Sequence, residues 1–148
     1  MTSDKLKELL EQVAAGGVQP DEALSKLKAL PYEDLGFARV DHHRSLRLGF
    51  PEVVFGQGKT PEQIVSIGQA IHGQGSAVLV TRVEADKARE VLNLWGDLIY
   101  HEQASCLSLE AAEGAKPGKG LVAVIAAGTS DLPVAEEAVL TARLMGSR

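Results

Sequence analysis

"PEVVFGQGKTPEQIVSIGQAIHGQGSAVLVTRV", residues 51–83, decides the fold class. "PEVVFG" has the β-branched and aromatic content of a short strand, bounded by Pro51 and Gly56. Ile64, Ile67, Gly68 and Ile71 then recur at helical spacing up to Gly73. "SAVLVTRV" follows as a continuous apolar run, the pattern of a buried strand. Strand, helix and strand in that order specify an α/β unit.

Gly58-Lys59-Thr60 inside this stretch matches the last three letters of a phosphate-cradling P-loop. A P-loop also needs a glycine five positions earlier, so that consecutive backbone N–H groups can wrap the phosphates. That position is Val53. The same letters read better as a helix start. Thr60 suits the cap, Pro61 the first helical position, and Gln63 completes a capping box.

On the amino-terminal side, "SDKLKELLEQVAAGG" predicts a helix with Leu6, Leu9, Leu10 and Val13 on one face, stopped by Gly16-Gly17. "QPDEALSKLKAL" predicts a second, shorter one. Residues 35–59 read as extended pieces broken by Gly49 and Pro51. On the carboxyl side, "EADKAREVLNLW" predicts a helix with Ala88, Val91, Leu92 and Trp95 on one face. "DLIYHEQASCLSLE" predicts one strand or two short ones. "EAAEGAKPGKG", residues 110–120, reads as a linker. Beyond it "LVAVIAA" is a candidate buried strand and "DLPVAEEAVLTARLMG" an amphipathic helix. The expected organisation is an N-terminal α/β domain with a helical arm over 1–114. Residues 115–148 follow as the first strand–helix unit of a doubly wound parallel sheet.

Composition removes several function classes. The chain has 148 residues, 45% of them apolar, so a packed core is expected and disorder is not. A net charge of −5 without a basic tract argues against nucleic-acid or anionic-membrane partners. No stretch approaches the ~20 apolar residues of a membrane span, and the N-terminus lacks a signal peptide's apolar centre. A cytoplasmic setting is expected. Cys106 is the single cysteine, which excludes an internal disulfide. His42 and His43 are adjacent and point apart if extended, so no metal site is expected from them.

The strongest chemical signal is "AAGTSDLPVAEEA". Gly128 permits a turn, Thr129 and Ser130 bring hydroxyls, and Asp131 and Pro133 open a helix whose free N–H groups attract anions. The alternative is that Ser130 or Asp131 simply caps that helix. Arg44, Arg47 and Lys59 are candidate phosphate or carboxylate ligands. Their alternative is internal salt bridging to Asp41 or Glu52. Cys106 reads as a small core residue, and Trp95 and Tyr100 as core.

"AGTSDLPVAEEAVLTARLMG" resembles the opening of the PurE-like domain of the LarB family, carboxylase/hydrolases of nickel-pincer cofactor synthesis. "DHHRSLRLGFPEVVFGQGKTPEQI" is similar to the segment preceding that domain, which PurE itself lacks. The resemblance covers roughly residues 35–148, and the N-terminal helices more weakly. It implies a flavodoxin-like doubly wound sheet for the later domain. It also implies carboxylation of the pyridinium ring of nicotinic acid adenine dinucleotide and hydrolysis of its phosphoanhydride. The products would be pyridinium-3,5-biscarboxylic acid mononucleotide and AMP. The implied co-substrate is CO2 or bicarbonate, with Mg2+ admissible, no tightly bound cofactor, and a homo-oligomer as the working form. Ser130 and Asp131 match the Ser-Asp of the family's loop; Gly128 stands where PurE carries its first serine. Family members continue for about another hundred residues, the size of a nucleotide domain, and their attacking cysteine lies there; Cys106 does not match it. The expectation is therefore a fragment that does not complete the cycle alone. The alternatives are a PurE-related aminoimidazole ribonucleotide carboxylase/mutase, or a non-catalytic α/β assembly module.

Overall fold

The computed structural model describes residues 3–28, 32–42, 44, 50–111, 118 and 120–147. By compactness the chain divides after Glu52.

The first unit begins with α1 (Ser3–Ala14) and α2 (Pro20–Lys28), which pack together. Leu9 and Ala23 are its buried helical residues; Leu10, expected on the same face as Leu9, is 55% exposed. One turn of the apolar stripe is thus too wide for the small surface that α2 offers. An antiparallel hairpin follows, β1 (Tyr32–Asp34) and β2 (Arg39–Asp41), in register Glu33 to Val40. The Asp34 carboxylate accepts from the Gly36 N–H at 2.8 Å and closes the turn. Val40 is buried, and His42 beside it bonds the Glu33 carboxylate at 2.9 Å.

The second unit is the α/β body. Its sheet runs in the order β3 (Val54–Phe55), β4 (Val78–Thr81), β6 (Cys106–Leu109), β5 (Ile99–His101). β3 and β4 are parallel, as the connecting helix α3 (Pro61–Gly73) requires. β6 runs antiparallel to both β4 and β5, so the sheet is mixed. "DLIYHEQASCLSLE" resolves into two strands because Glu102–Ser105 form a tight hairpin, with the Ser105 N–H on the Glu102 carbonyl.

Helices cover both faces. α3 buries Ile64, Ile67 and Ile71, and α4 (Ala85–Leu94) buries Ala88 and Val91 beside it. Leu92 and Trp95, expected to be core, are half-buried at the border of this layer, as is Tyr100. Polar atoms explain the two aromatics: the Trp95 indole reaches Asp97, and the Tyr100 hydroxyl donates to the Val83 carbonyl at 3.0 Å. The opposite face, with Leu79 and Cys106, receives α5 (Leu132–Leu144) through Leu140 and Leu144. All four residues of β4 are buried, the expected signature of a strand covered on both sides.

The capping box is present in full. The Gln63 N–H donates to Thr60 Oγ1 at 3.3 Å, the Thr60 N–H donates to Gln63 Oε1 at 3.0 Å, and Pro61 opens the helix.

One expected element is corrected. Residues 121–126 carry no ladder and are exposed, Leu121 at 82% and Ile125 at 93%. An apolar run becomes a strand only when a neighbouring strand offers its N–H and C=O groups. No described strand does so here. The helix expected after it does form. Of the expected linker, residues 112–117 and 119 lie outside the described residues. Among the described residues no helix is long and apolar enough to cross a membrane.

Candidate functional site

Thr129–Asp131 form a single 3-10 turn at the start of α5, with the Asp131 N–H on the Gly128 carbonyl. Gly128 itself is extended, φ −135° and ψ 158°. The turn does not need its glycine, contrary to expectation: a β-carbon there would meet nothing closer than the Asp131 carboxylate at 3.9 Å. A serine would fit at this position. Pro133 occupies the first turn of α5.

The four residues Gly128 to Asp131 are exposed. Neither the 3-10 turn nor α5 has a side-chain cap bond. Asp131 sits at the cap position with a helical backbone, φ −89° and ψ −14°. A capping residue is normally extended so that its side chain can reach back to the helix N–H groups. The hydroxyls and the carboxylate are therefore left outward rather than used in capping.

Lys59 lies at the turn between β3 and α3, half-buried, its N–H on the Gly56 carbonyl at 3.2 Å. Gly58 before it has φ +78°, a left-handed conformation suited to glycine. The α3 N-terminus is already satisfied. Besides the capping box, the exposed Glu62 carboxylate is held below its usual range by its own backbone N–H and by Thr60. Replacing Lys59 with Ala should leave ATP retention of the chain unchanged at background level; tight binding lost in the variant would restore a P-loop reading. Among the described residues no hydrogen bond or ion pair joins Lys59 to the Thr129–Asp131 turn.

Arg44 belongs to the first unit. Its guanidinium lies over the Phe50 ring at 5.3 Å, and its Nε is buried without a hydrogen-bond partner. Glu52, one expected salt-bridge partner, accepts from the Asp41 N–H at 2.8 Å. Arg47 lies outside the described residues, as does His43. Among the described residues no group of three or more His, Cys, Asp and Glu could hold a metal.

Cys106 is wholly buried beneath α5, its thiol directed at the Ala104 carbonyl. Burial, with Glu137 nearby, pushes the thiol up to about 11; Arg82 only partly opposes this. It is a core residue, as its sequence context suggests. At pH 8 it should react with a disulfide reagent far more slowly in the folded chain than in urea. A folded-state pKa above the unfolded value also means that its contribution to stability is complete below about 8.5 and is lost as pH rises toward 11. Cys106→Ala should remove that alkaline component; equal labelling rates folded and unfolded would contradict the burial.

Beside α5 the structure holds a polar pair that sequence reading missed. His101 Nε2 lies 2.8 Å from Ser108 Oγ, across the β5–β6 pair. The alternation in "HEQASCLSL" could have placed Cys106 and Ser108 on one face, but not His101 opposite them, because that depends on the hairpin register.

With this geometry in view, the comparisons with known proteins carry identity. The family model described as LarB/PurE-like N-terminal domain matches residues 32–111, more than half of the chain. The chain belongs to the LarB/PurE-like family. It is also 31% identical, over 147 residues, to Uncharacterized protein MJ0165 of Methanocaldococcus jannaschii. That alignment covers 95% of this chain and 57% of the relative, so the chain spans little more than half the relative's length. The family segment includes Arg44, Arg47 and Lys59 and stops before the Gly128–Pro133 turn.

Proposed function

We propose that the chain is the N-terminal portion of an enzyme that carboxylates the pyridinium ring of nicotinic acid adenine dinucleotide and hydrolyses its phosphoanhydride. The products are pyridinium-3,5-biscarboxylic acid mononucleotide and AMP, in cytoplasmic synthesis of a nickel-pincer cofactor, with CO2 or bicarbonate as co-substrate. Residues 115 onward begin the nucleotide-binding domain in this reading. The observation that carries it is the uncapped turn: Thr129, Ser130 and Asp131 are exposed at a helix N-terminus and none caps the helix. The family match supports the same reading from a separate part of the chain.

The roles follow from charge. Hydroxyls of Thr129 and Ser130 and the N–H groups of the α5 start suit phosphate. Asp131 would repel phosphate and instead accepts from ribose hydroxyls. By charge, Arg44, Arg47 and Lys59 each suit a phosphate or the carboxylate. In the whole protein, Asp131→Ala should weaken dinucleotide binding by about 1–3 kcal/mol. Since Asp131 makes no cap bond, unfolding free energy should move by less than about 0.5 kcal/mol. Calorimetric titration and urea unfolding of the same variant separate the two. A variant that loses stability yet binds as wild type would reduce the turn to a structural element.

A second reading, an assembly module, draws on the exposed run Leu121, Val122, Val124 and Ile125. An unpaired apolar segment of that kind associates with another chain. It is compatible with the enzymatic reading, in which the working form is a homo-oligomer.

A further inference from the structure

The second unit contains a cleft that the proposed substrate turn does not use. It runs between the edge strand β5 and the last two turns of α5. Its larger part has a volume of about 330 Å³, and its lining includes Ile99, His101, Ser108, Leu140, Arg143 and Leu144, with the acidic Glu110. A smaller part continues past His101 toward Glu136. The volume falls at the lower end of the range for small-molecule sites, about 300–1,000 Å³. Leu140, Leu144 and Ile99 make apolar walls; Ile99 is 59% exposed, an unusual state for an isoleucine on a strand.

We propose that this cleft binds a small monocarboxylate, its charged head on the Arg143 guanidinium and its apolar body against Leu140 and Leu144.

Charge selects this ligand class. Arg143 is exposed at the cleft wall and makes no ion pair among the described residues. His101 does not compete as a second cation. Burial first, and then Arg143 itself, favour its neutral form, with Glu136 opposing weakly. The His101–Ser108 pair is therefore a neutral polar floor, with Ser108 buried to 4% exposure. A guanidinium at the rim of an apolar slot matches a carboxylate through paired N–H donors. Glu110 lines the larger part and Glu102 and Glu136 the smaller, so one anionic head fits at Arg143 and a second anionic group would be repelled.

The test is an NMR titration of the chain with benzoate and, separately, with its neutral isostere benzamide. Benzoate should shift the amide signals of His101, Ser108, Leu140 and Leu144 together, with one dissociation constant. Benzamide should bind about fivefold more weakly or worse, and so should the dianion phthalate. Arg143→Gln should weaken benzoate about tenfold, the loss of one charged contact, and Arg143→Lys should recover part of it. Arg143 is exposed and makes no ion pair among the described residues, so both variants should keep the fold, which their unchanged spectra would verify. Equal binding of benzoate and benzamide, shifts scattered over the surface, no saturation, or an unaffected Arg143→Gln variant would each overturn the proposal.

Discussion

Replacing Leu107 with alanine is expected to lower the unfolding free energy by about 2–5 kcal/mol. Leu107 is fully buried on β6, the strand between β4 and β5. Its pairing partners are Val80 and Tyr100, so it lies on the same face as Val78 and Val80. That face meets α3: a β-carbon at Gly68 would come within 3.4 Å of the Val78 side chain. Truncation there opens a cavity that central strands cannot close, because each is held by ladder bonds on both sides. The exposed Leu94→Ala supplies the control, with a change within about 0.5 kcal/mol. Urea unfolding measures both. Equal effects at the two positions would mean that the β4–β6 core is not assembled as described.

The second large effect is expected at Gly56, where β3 ends. Its N–H donates to the Thr81 carbonyl at 2.8 Å, drawing the two parallel strands together at their carboxyl ends. A β-carbon would stand 2.7 Å from Val83 Cγ2 and 2.9 Å from the Thr81 carbonyl oxygen. The first can shift; the second is backbone and cannot move without breaking the hydrogen bond. The Gly56 carbonyl also receives the Lys87 ammonium at 3.2 Å. Gly56→Val should therefore cost about 1–3 kcal/mol in overpacking and about 1 kcal/mol for the strained bond. Gly58→Val, with nothing near its β-carbon, would be strained only by its left-handed backbone and should cost less. Thermal unfolding of the pair tests the order. A Gly56→Val chain as stable as wild type would show that the β3 end is not seated against Thr81 and Val83.

The two residues that look alike in "GQGKT" thus have different duties. Gly56 is a packing glycine and Gly58 a conformational one. Neither sits in a P-loop, since the helix behind them is closed by the Thr60–Gln63 capping box. Spacing had already indicated this, through Val53 at the position where a P-loop glycine belongs.

What the sequence determined by itself is local. The strand–helix–strand run over β3, α3 and β4 was legible, and so were the capping box at Thr60, the Gly16 stop and the start of α5. Each depends on residues within one or two helical turns of one another, whose side chains bond or pack without help from distant parts of the chain. The core status of Cys106 was legible for a similar reason, its apolar neighbours. The tertiary structure decided what depends on pairing. Whether "LVAVIAA" is a strand rests on a partner strand, not on its own apolarity, and no described strand pairs with it. Whether Ser130 and Asp131 cap α5 was open in sequence, since Ser and Asp suit either role. The backbone angles at Asp131 left the cap unmade and the side chains outward. The His101–Ser108 pair and the cleft beside it required both the β5–β6 register and the docking of α5 on that face. Non-local contacts of this kind leave no spacing in the chain to read, because the residues that meet are joined only by the fold.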